Sequence, residues 1–331
     1  MKITKILDTT IICLLFSICS LILAYPLTAS AAPNISLEKV SALNPQTTES
    51  TQSFSQRDLN QESILALDWV QTSAEYRASA YQSYSFARLI LDRLLAISID
   101  HPAIVLDLDE TVFDNSPYYA AMVGTELKNT TQSWNQWVKA KKAKAVPGAI
   151  EFINYVNRAT NVKLFFISNR YEKYPCQRNS QDLEIATIDN LKQLGVANVT
   201  DENVILRCEF ANGDNLSKQL RIDAVIDGRA DGEKHNVILA IGDNLLDFAE
   251  DVDLTLEARK EFVDNNASRF GQLNSNQDLR SLLPIFIILP NPIYGSWESA
   301  LYQAKEFERN NSDELTTIQK NLQRLNALSI E

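Results

Sequence analysis

Histidine is nearly absent from this 331-residue chain, and cysteine and glycine are sparse, with counts of two, four and nine. His101 and His235 stand in no motif through which an imidazole takes up a phosphoryl group. A cysteine nucleophile followed six residues later by arginine is excluded as well, because Cys176 and Cys208 lead at that spacing to Asp182 and Asp214. There is no Gly-x-x-x-x-Gly-Lys stretch, so a P-loop is ruled out. Basic charge is in deficit, 31 Lys and Arg against 42 Asp and Glu, for a net charge of −11. That balance argues against duplex nucleic acid as a partner, since such binding is driven by cations on phosphates. An anionic substrate would need a local basic pocket instead.

Long apolar runs are also missing. The longest, Ile11 to Leu23, is too short to span a bilayer with confidence. Lys2 and Lys5 precede it and Ala29-Ser30-Ala31 follows, so residues 1–31 read as a signal peptide cleaved near Ala31. No stable membrane span is expected after processing. Cys19 follows Phe16-Ser17-Ile18, a poor lipoprotein box, so the reading is export to a periplasmic or secreted location without a lipid anchor. Cys176 and Cys208 are the cysteines left in the mature chain; an exported protein permits a disulfide between them, and free buried thiols are the alternative.

Residues 32–60 are polar and aperiodic and read as a flexible leader. Helical spacing of apolar residues from Glu62 to Leu95 predicts one or two amphipathic helices. Short apolar runs at Val162–Ile167, Asn203–Leu206, Val237–Ile241 and Ile285–Leu289 alternate with helical stretches at Ala149–Arg158 and Leu183–Leu194, and a charged helical tail starts at Trp297. Strands alternating with helices predict an α/β fold with a doubly wound, Rossmann-like parallel sheet. The domain is expected over 61–331, with a helical cap from about 61–98 and 115–146. The basic run Lys139 to Lys144 reads as a solvated helix face rather than an anion site. The sequence leaves a homodimer open.

One stretch organises the rest: Ala103-Ile-Val-Leu-Asp107-Leu-Asp109-Glu-Thr-Val. It reads as a buried central strand that delivers two carboxylates to its C-terminal end, where open α/β sheets bind ligands. Carboxylates held so close repel unless a cation or a shared proton relieves them, and Mg²⁺ suits an oxygen donor set. An EF-hand loop starting at Asp107 would need Gly at Val112 and Glu at Tyr118, and has neither. Further polar groups follow other strands: Ser168 and Asn169, then Asp243 and Asp247, with Lys218 and Arg221 between them. These types suit phosphate-ester hydrolysis. A carboxylate can attack phosphorus, a second carboxyl can move the proton, a hydroxyl, an amide and a lysine can hold the phosphate, and more carboxylates can hold metal.

The segments Asp107-Leu-Asp-Glu-Thr-Val112, Ser168-Asn-Arg170 and Gly242-Asp-Asn-Leu-x-Asp-Phe248 resemble the haloacid dehalogenase (HAD) superfamily. In particular they resemble its class C acid phosphatases, secreted or outer-membrane enzymes that include 5′-nucleotidases. The resemblance extends to Gln71–Arg77, Phe113–Tyr118, Val146–Ala149 and Pro290–Glu298. It implies Asp107 as nucleophile, Asp109 as general acid and base, and Ser168 with the Asn169 backbone as phosphate ligands. It implies Mg²⁺ held by Asp107, the Asp109 carbonyl and Asp243, with Asp247 and Arg221 in support. Lys218 best matches the family's phosphate lysine; Lys234 is the alternative, because Ile222–Glu233 is longer than the family pattern suggests. Leu246 stands where the family often carries a small or acidic residue, and the lipoprotein box is missing.

The implied substrate is a small phosphomonoester, with 5′-nucleotides favoured and Tyr294, Tyr118, Trp134 and Trp137 as stacking candidates, Tyr294 first. Core packing is the competing explanation for each ring. A phosphotransferase sharing the intermediate, and a non-catalytic exported nucleotide- or metal-binding protein, are the alternative functions. Retention of both Asp107 and Asp109 speaks against the second.

Overall fold

The computed structural model describes residues 54–176, 180–210, 213–249, 255–274, 276–302 and 315–328. The expected signal peptide and most of the expected leader lie outside the described residues. The first described helix, α1 (Gln56–Gln61), nevertheless falls inside the stretch read as leader. A capping box between Ser55 and Asp58 starts it, Leu59 is buried, and the Asn60 amide donates to the carbonyls of Met122, Thr125 and Leu127.

Strand β1 (Pro102–Leu106) is buried at every position, as its apolar run requires. After it, β2 (Phe113–Asp114) and β3 (Lys144–Ala145) form a small antiparallel pair. The strands β4 (Lys163–Tyr171), β5 (Val204–Arg207), β6 (Asn236–Gly242) and β7 (Ile285–Ile288) complete the main sheet. Its order is β5-β4-β1-β6-β7 and every neighbour is parallel, so β1 is central.

Alternation along the strands divides the core in two. Ile104, Leu106, Leu164 and Phe166 pack on one face with helices α3 (Ala74–Leu95) and α6 (Ala149–Ala159). Ala103, Val105, Phe165 and Ile167 face the other side, with Val225 of α8 (Gln219–Asp227) and Phe262 of α9 (Leu256–Asn265). Burial on both faces explains why the strands read as unbroken apolar runs. One irregularity interrupts β6: the register skips Ile238 beside Ala103 and Ile104, and Ile238 and Leu239 then join the same core.

The expected strands are therefore present, and β4 runs on through Ser168 to Tyr171 rather than stopping at Ile167. Two helices fill the N-terminal region as expected, α2 (Ile64–Thr72) and α3. The second half of α3 belongs to the sheet's own packing layer rather than to a cap: Ala87, Ile90, Leu91 and Leu94 are in the main core. Between β2 and β3 stand α4 (Ser116–Ala120) and α5 (Thr131–Ala140), so the insertion expected at 115–146 is closed at its base by strand pairing. Its basic run faces α7 (Asp182–Gln193), where Lys139 and Lys141 meet Asp182 and Asp189 at 2.5 and 3.0 Å. Helix α9 was not expected; its one buried residue is the polar Arg259, which leaves little apolar periodicity to read. The charged tail carries α10 (Ser296–Leu301) and α11 (Thr317–Asn326). No described helix is long and apolar enough to cross a membrane.

Cys176 and Cys208, 32 positions apart in sequence, are joined as a disulfide across the loops that follow β4 and β5. In the chain-entropy account, closing a loop of that length stabilises by about 3–4 kcal/mol. Replacing both cysteines by serine is expected to lower the urea midpoint and to raise the m-value, because the unfolded chain is no longer held compact by the cross-link. Peptide mapping that found both thiols free in the oxidised protein would contradict the pairing.

Candidate active site

The chain leaves the sheet at Leu106, with the Asp107 N–H still donating to the Ile241 carbonyl of β6 at 2.8 Å. It then turns sharply. Glu110 adopts a left-handed conformation (φ 59°), its N–H donates to Phe113 O at 2.7 Å, and Val112 N–H donates to Leu108 O at 2.8 Å. A non-glycine residue in that region costs roughly 1–2 kcal/mol, a strain of the kind found at functional turns. The turn sends the two carboxylates of Asp107-Leu108-Asp109 to different partners.

Asp107 faces Lys218 and the acidic end of β6. Beyond Gly242, Asp243 is followed by a one-turn 3₁₀ segment, Leu245–Asp247, opened by a capping box. The Asn244 side chain accepts from Leu246 N–H, and the Asp247 carboxylate accepts from Asn244 N–H at 3.0 Å. The box folds Asp247 back under the strand end, and Gly242 makes that possible because a Cβ there would overlap the Asp247 side chain. Asp107, Asp243 and Asp247 thereby bring a carboxylate oxygen each within 4.8 Å of one another. Asp243 is held from both sides, by Thr111 Oγ1 at 3.2 Å and Asn291 Nδ2 at 2.8 Å.

Lys218, at the start of α8, drives its ammonium between two of these groups, donating to Asp107 and, at 2.7 Å, to Asp247. It is buried, and burial opposes its charge, but the two carboxylates outweigh that and hold it well above its ordinary value. Burial pushes Asp107 up to about 7, with Lys218 opposing and Asp247 and Asp109 adding repulsion. Asp243 is raised well above its ordinary value, by burial and then by Asp247 and Asp107. Three hard oxygen donors crowded at this distance suit a divalent cation such as Mg²⁺, which would relieve the repulsion that Lys218 alone does not. Lys234 is exposed and precedes β6, at the opposite end of the sheet from this cluster, so of the two lysines it is Lys218 that sits here.

Asp109 points across to β4. Its carboxylate takes two nitrogens of Arg170, at 2.7 and 2.9 Å to Oδ1, together with Asn115 Nδ2 at 2.9 Å and Ser168 Oγ at 3.3 Å. Asn169, on the other side of the strand, accepts from Arg221 at 2.6 Å, and Arg221 also donates to the carbonyls of Ser168, Leu216 and Ser217. Arg221 is thus a brace that ties the end of β4 to the loop carrying Lys218.

The four expected aromatics fall in different places. Tyr118 is buried and its hydroxyl is engaged by Asn129 and Ser133 at 2.9 and 2.8 Å. Trp137 donates its indole N–H to Asn115 at 2.8 Å, so it braces the Asp109 side. Trp134 packs edge-on against Tyr118 with centroids 5.1 Å apart. Tyr294 donates to buried Glu110 and stacks on Tyr119 with ring centroids 4.7 Å apart. Burial, with repulsion from Asp109, pushes Glu110 up to about 8 despite that hydrogen bond.

Sequence reasoning assigned no role to Glu110, Asn115, Tyr119, Arg170 or Asn291. Arg170 carried a usable signal, because it lies two residues beyond Ser168 on the same strand face. Asn115 and Asn291 carried none, since an amide in a loop has no periodicity.

A family model described as HAD superfamily, subfamily IIIB (acid phosphatase), matches residues 29–297. Among solved structures, the class C acid phosphatase from Bacillus anthracis is 33% identical, covering 82% of this chain and 98% of that chain, with a TM-score of 0.65. The same Bacillus anthracis enzyme with tungstate bound matches at 33% identity and the same coverage, with a TM-score of 0.64.

The raised carboxyls make stability depend on both pH and metal. Asp107 and Glu110 titrate near 7 and 8 in the folded chain, while unfolded Asp and Glu titrate at about 3.9 and 4.3. The folded state therefore holds more protons than the unfolded one over this span, and stability falls as pH rises through it. Glu184 and Glu209, raised by burial to about 7 and 8, act in the same direction. In chelator the melting temperature is expected to be higher at pH 5 than at pH 8. Adding Mg²⁺ should recover more stability at pH 8, where the ligands ionise most readily. A melting temperature that climbed from pH 5 to pH 8 in chelator would refute this account.

Proposed function

The chain belongs to the HAD superfamily, subfamily IIIB, the acid phosphatases, and is a phosphomonoester hydrolase; we propose that it works through an aspartyl-phosphate on Asp107, with Mg²⁺ as its metal. Its substrates on this reading are small phosphomonoesters, 5′-nucleotides foremost, met outside the cytoplasm after removal of residues 1–31.

The observation that carries the reading is the split of Asp107-Leu108-Asp109. Asp107 lies against Lys218 in the acidic cluster, and Asp109 lies against Ser168. In the first step an Asp107 oxygen attacks phosphorus and the bond to the ester oxygen breaks. The departing oxygen takes a proton from Asp109. In the second step Asp109 takes a proton from water as that water attacks the phosphoryl group, and phosphate leaves with Asp107 regenerated. Ser168, the Asn169 N–H and Lys218 would hold the phosphate oxygens through both steps. Asp107, Asp243 and the Asp109 carbonyl would hold Mg²⁺, with the Asp247 carboxylate beside them in the same cluster; the ion would neutralise and orient the phosphoryl group. The Bacillus anthracis relative has been seen with tungstate, a tetrahedral oxyanion shaped like phosphate.

For the base of a nucleotide, the candidate rings are Tyr294 and the Tyr119 packed against it, beside Glu110. Stacking on such rings is worth about 1–3 kcal/mol per base. Export is supported by the sequence of residues 1–31 and by the disulfide, which suits an oxidising compartment. N-terminal sequencing of the secreted protein is expected to begin at or near Ala32.

Phosphate release from nucleoside monophosphates, sugar phosphates and an aryl phosphate tests the reading. Release should require Mg²⁺ and should vanish in Asp107→Asn while the fold survives. Asp109→Asn should lose about 10²–10⁴-fold on alkyl esters and much less on the aryl ester, whose leaving group needs no proton. Equal loss on both esters would remove Asp109 from the acid role. No preference for nucleotides over sugar phosphates would remove the base from the substrate.

A further inference from the structure

Arg170 is one of the two largest side chains buried almost completely in the described chain, 1% exposed, and its main partner is a carboxylate that the proposed reaction requires to move a proton. Strand alternation puts it on the face of Ser168, and the Ser168 hydroxyl accepts from its backbone N–H at 3.1 Å. Its Nε and Nη2 lie 2.9 and 2.7 Å from Asp109 Oδ1, with Nε also 3.1 Å from Oδ2. Its Nη1 has no hydrogen-bond partner. The guanidinium instead rests on ring faces, 4.3 Å from the Phe113 centroid and 5.8 Å from that of Trp134.

Asn115 completes the arrangement. Its Nδ2 donates to Asp109 Oδ1 at 2.9 Å, and its Oδ1 accepts from Trp137 Nε1 at 2.8 Å and from Arg170 at 3.3 Å. Indole nitrogen only donates, so the amide orientation is fixed and its NH₂ must face Asp109. Its backbone N–H is held by Glu110 at 2.9 Å.

We propose that Arg170, backed by Asn115 and Trp137, is the positioning residue for Asp109, and that it assigns the travelling proton to one oxygen, Oδ2. Oδ1 takes three donors at 2.7–2.9 Å, which saturates a carboxylate oxygen. Oδ2 has only the longer contacts from Arg170 at 3.1 Å and Ser168 at 3.3 Å. A proton on Oδ1 would displace a charged fork, whereas Oδ2 can carry it and lies on the Ser168 side where the phosphate is held. In the first step the proton passes from Oδ2 to the ester oxygen, and in the second from water to Oδ2. Arg170 touches neither ester nor water, and acts through Asp109 alone. The proposal rests on the acid/base reading of Asp109 above.

The test compares kcat on an alkyl and an aryl phosphate for wild type, Arg170→Gln, Arg170→Lys, Asp109→Asn and the double variant Arg170→Gln/Asp109→Asn. Arg170→Gln is expected to lose about 10²-fold on the alkyl ester and under tenfold on the aryl ester, with Mg²⁺ affinity unchanged. Arg170→Lys, which keeps the charge without the fork, should recover part of the alkyl loss. In the Asp109→Asn background the arginine substitution should leave the alkyl-to-aryl ratio where it was. Equal losses on both esters in a folded protein, or losses that multiply in the double variant, would overturn the proposal. If Arg170→Gln does not fold, Trp137→Phe removes the N–H that holds Asn115 and leaves a smaller aromatic ring in its place. It should bias the ratio the same way, and an unchanged ratio there would count against the clamp. Failure of the underlying reading shows separately, in Asp109→Asn alone slowing both esters alike, and would take the clamp down with it.

Discussion

Repulsion among carboxylates at one end of the sheet is the constraint on which the rest of the site depends. Asp107, Asp243 and Asp247 offer oxygens within 4.8 Å of one another, mostly shielded from water. Two unit charges about 4 Å apart cost about 4 kcal/mol at an effective dielectric of 20. Every nearby element bears on that cost. The strand end fixes Asp107, the Asn244 capping box fixes Asp247, Thr111 and Asn291 satisfy Asp243, and Lys218, the residue just before α8, reaches two of the three. Lys218 opposes the upward push on Asp107, which comes first from burial and then from the repulsion of Asp247 and Asp109. A cluster left under-neutralised by its own chain is a cluster prepared for a cation.

The β4 end solves a different problem, which is to hold two neighbouring polar positions rigidly without charges of their own. Alternation sends Ser168 and Arg170 to one side and Asn169 to the other. Each side receives its own buried arginine: Arg170 on Asp109, and Arg221 on Asn169 and three backbone carbonyls. The two cations are not interchangeable. The hydrogen bonds that Arg221 makes among the described residues go to neutral acceptors, and burial lowers it to about 10 although the charges of Glu209 and Asp107 oppose that. Arg170 is committed to the one carboxylate whose orientation the proposed chemistry needs. The planar fork matters in both places, since a lysine ammonium could not reach so many acceptors in fixed directions.

Sequence alone made the sheet legible because each strand is buried on both faces and so reads as an apolar run between punctuating residues. The charged groups just beyond those runs were legible for the same reason, as departures from apolar burial at strand ends. Lys218 was separable from Lys234 only by motif match; the sheet separates them physically, by placing one at each end. What escaped notice were groups whose position depends on a turn. Asp107 and Asp109 are two apart, and strict alternation would have aimed both into one crevice. The chain leaves the sheet at Leu106, before either aspartate, and the turn around the left-handed Glu110 sets Asp109 against Arg170. Asn115, Glu110 and Tyr119 follow from that turn, and no periodicity announces them. Helix α9 was missed on different grounds, its buried position being an arginine rather than an apolar residue.

The turn has a further consequence, because it links the insertion to the chemistry. Trp137 belongs to α5 and Tyr119 to α4, both in the insertion between β2 and β3. Trp137 fixes Asn115, Asn115 fixes Asp109, and Tyr119 stacks on Tyr294, whose hydroxyl is held by Glu110 in the same turn. The Tyr119–Tyr294 ring pair and the proposed proton carrier are therefore tied to the same turn. A change in the insertion that moves Trp137 or Asn115 alters the hydrogen bonds that orient Asp109. An insertion re-formed for better binding of a poor leaving group would keep its rate only if the Trp137–Asn115–Arg170 connection survived intact.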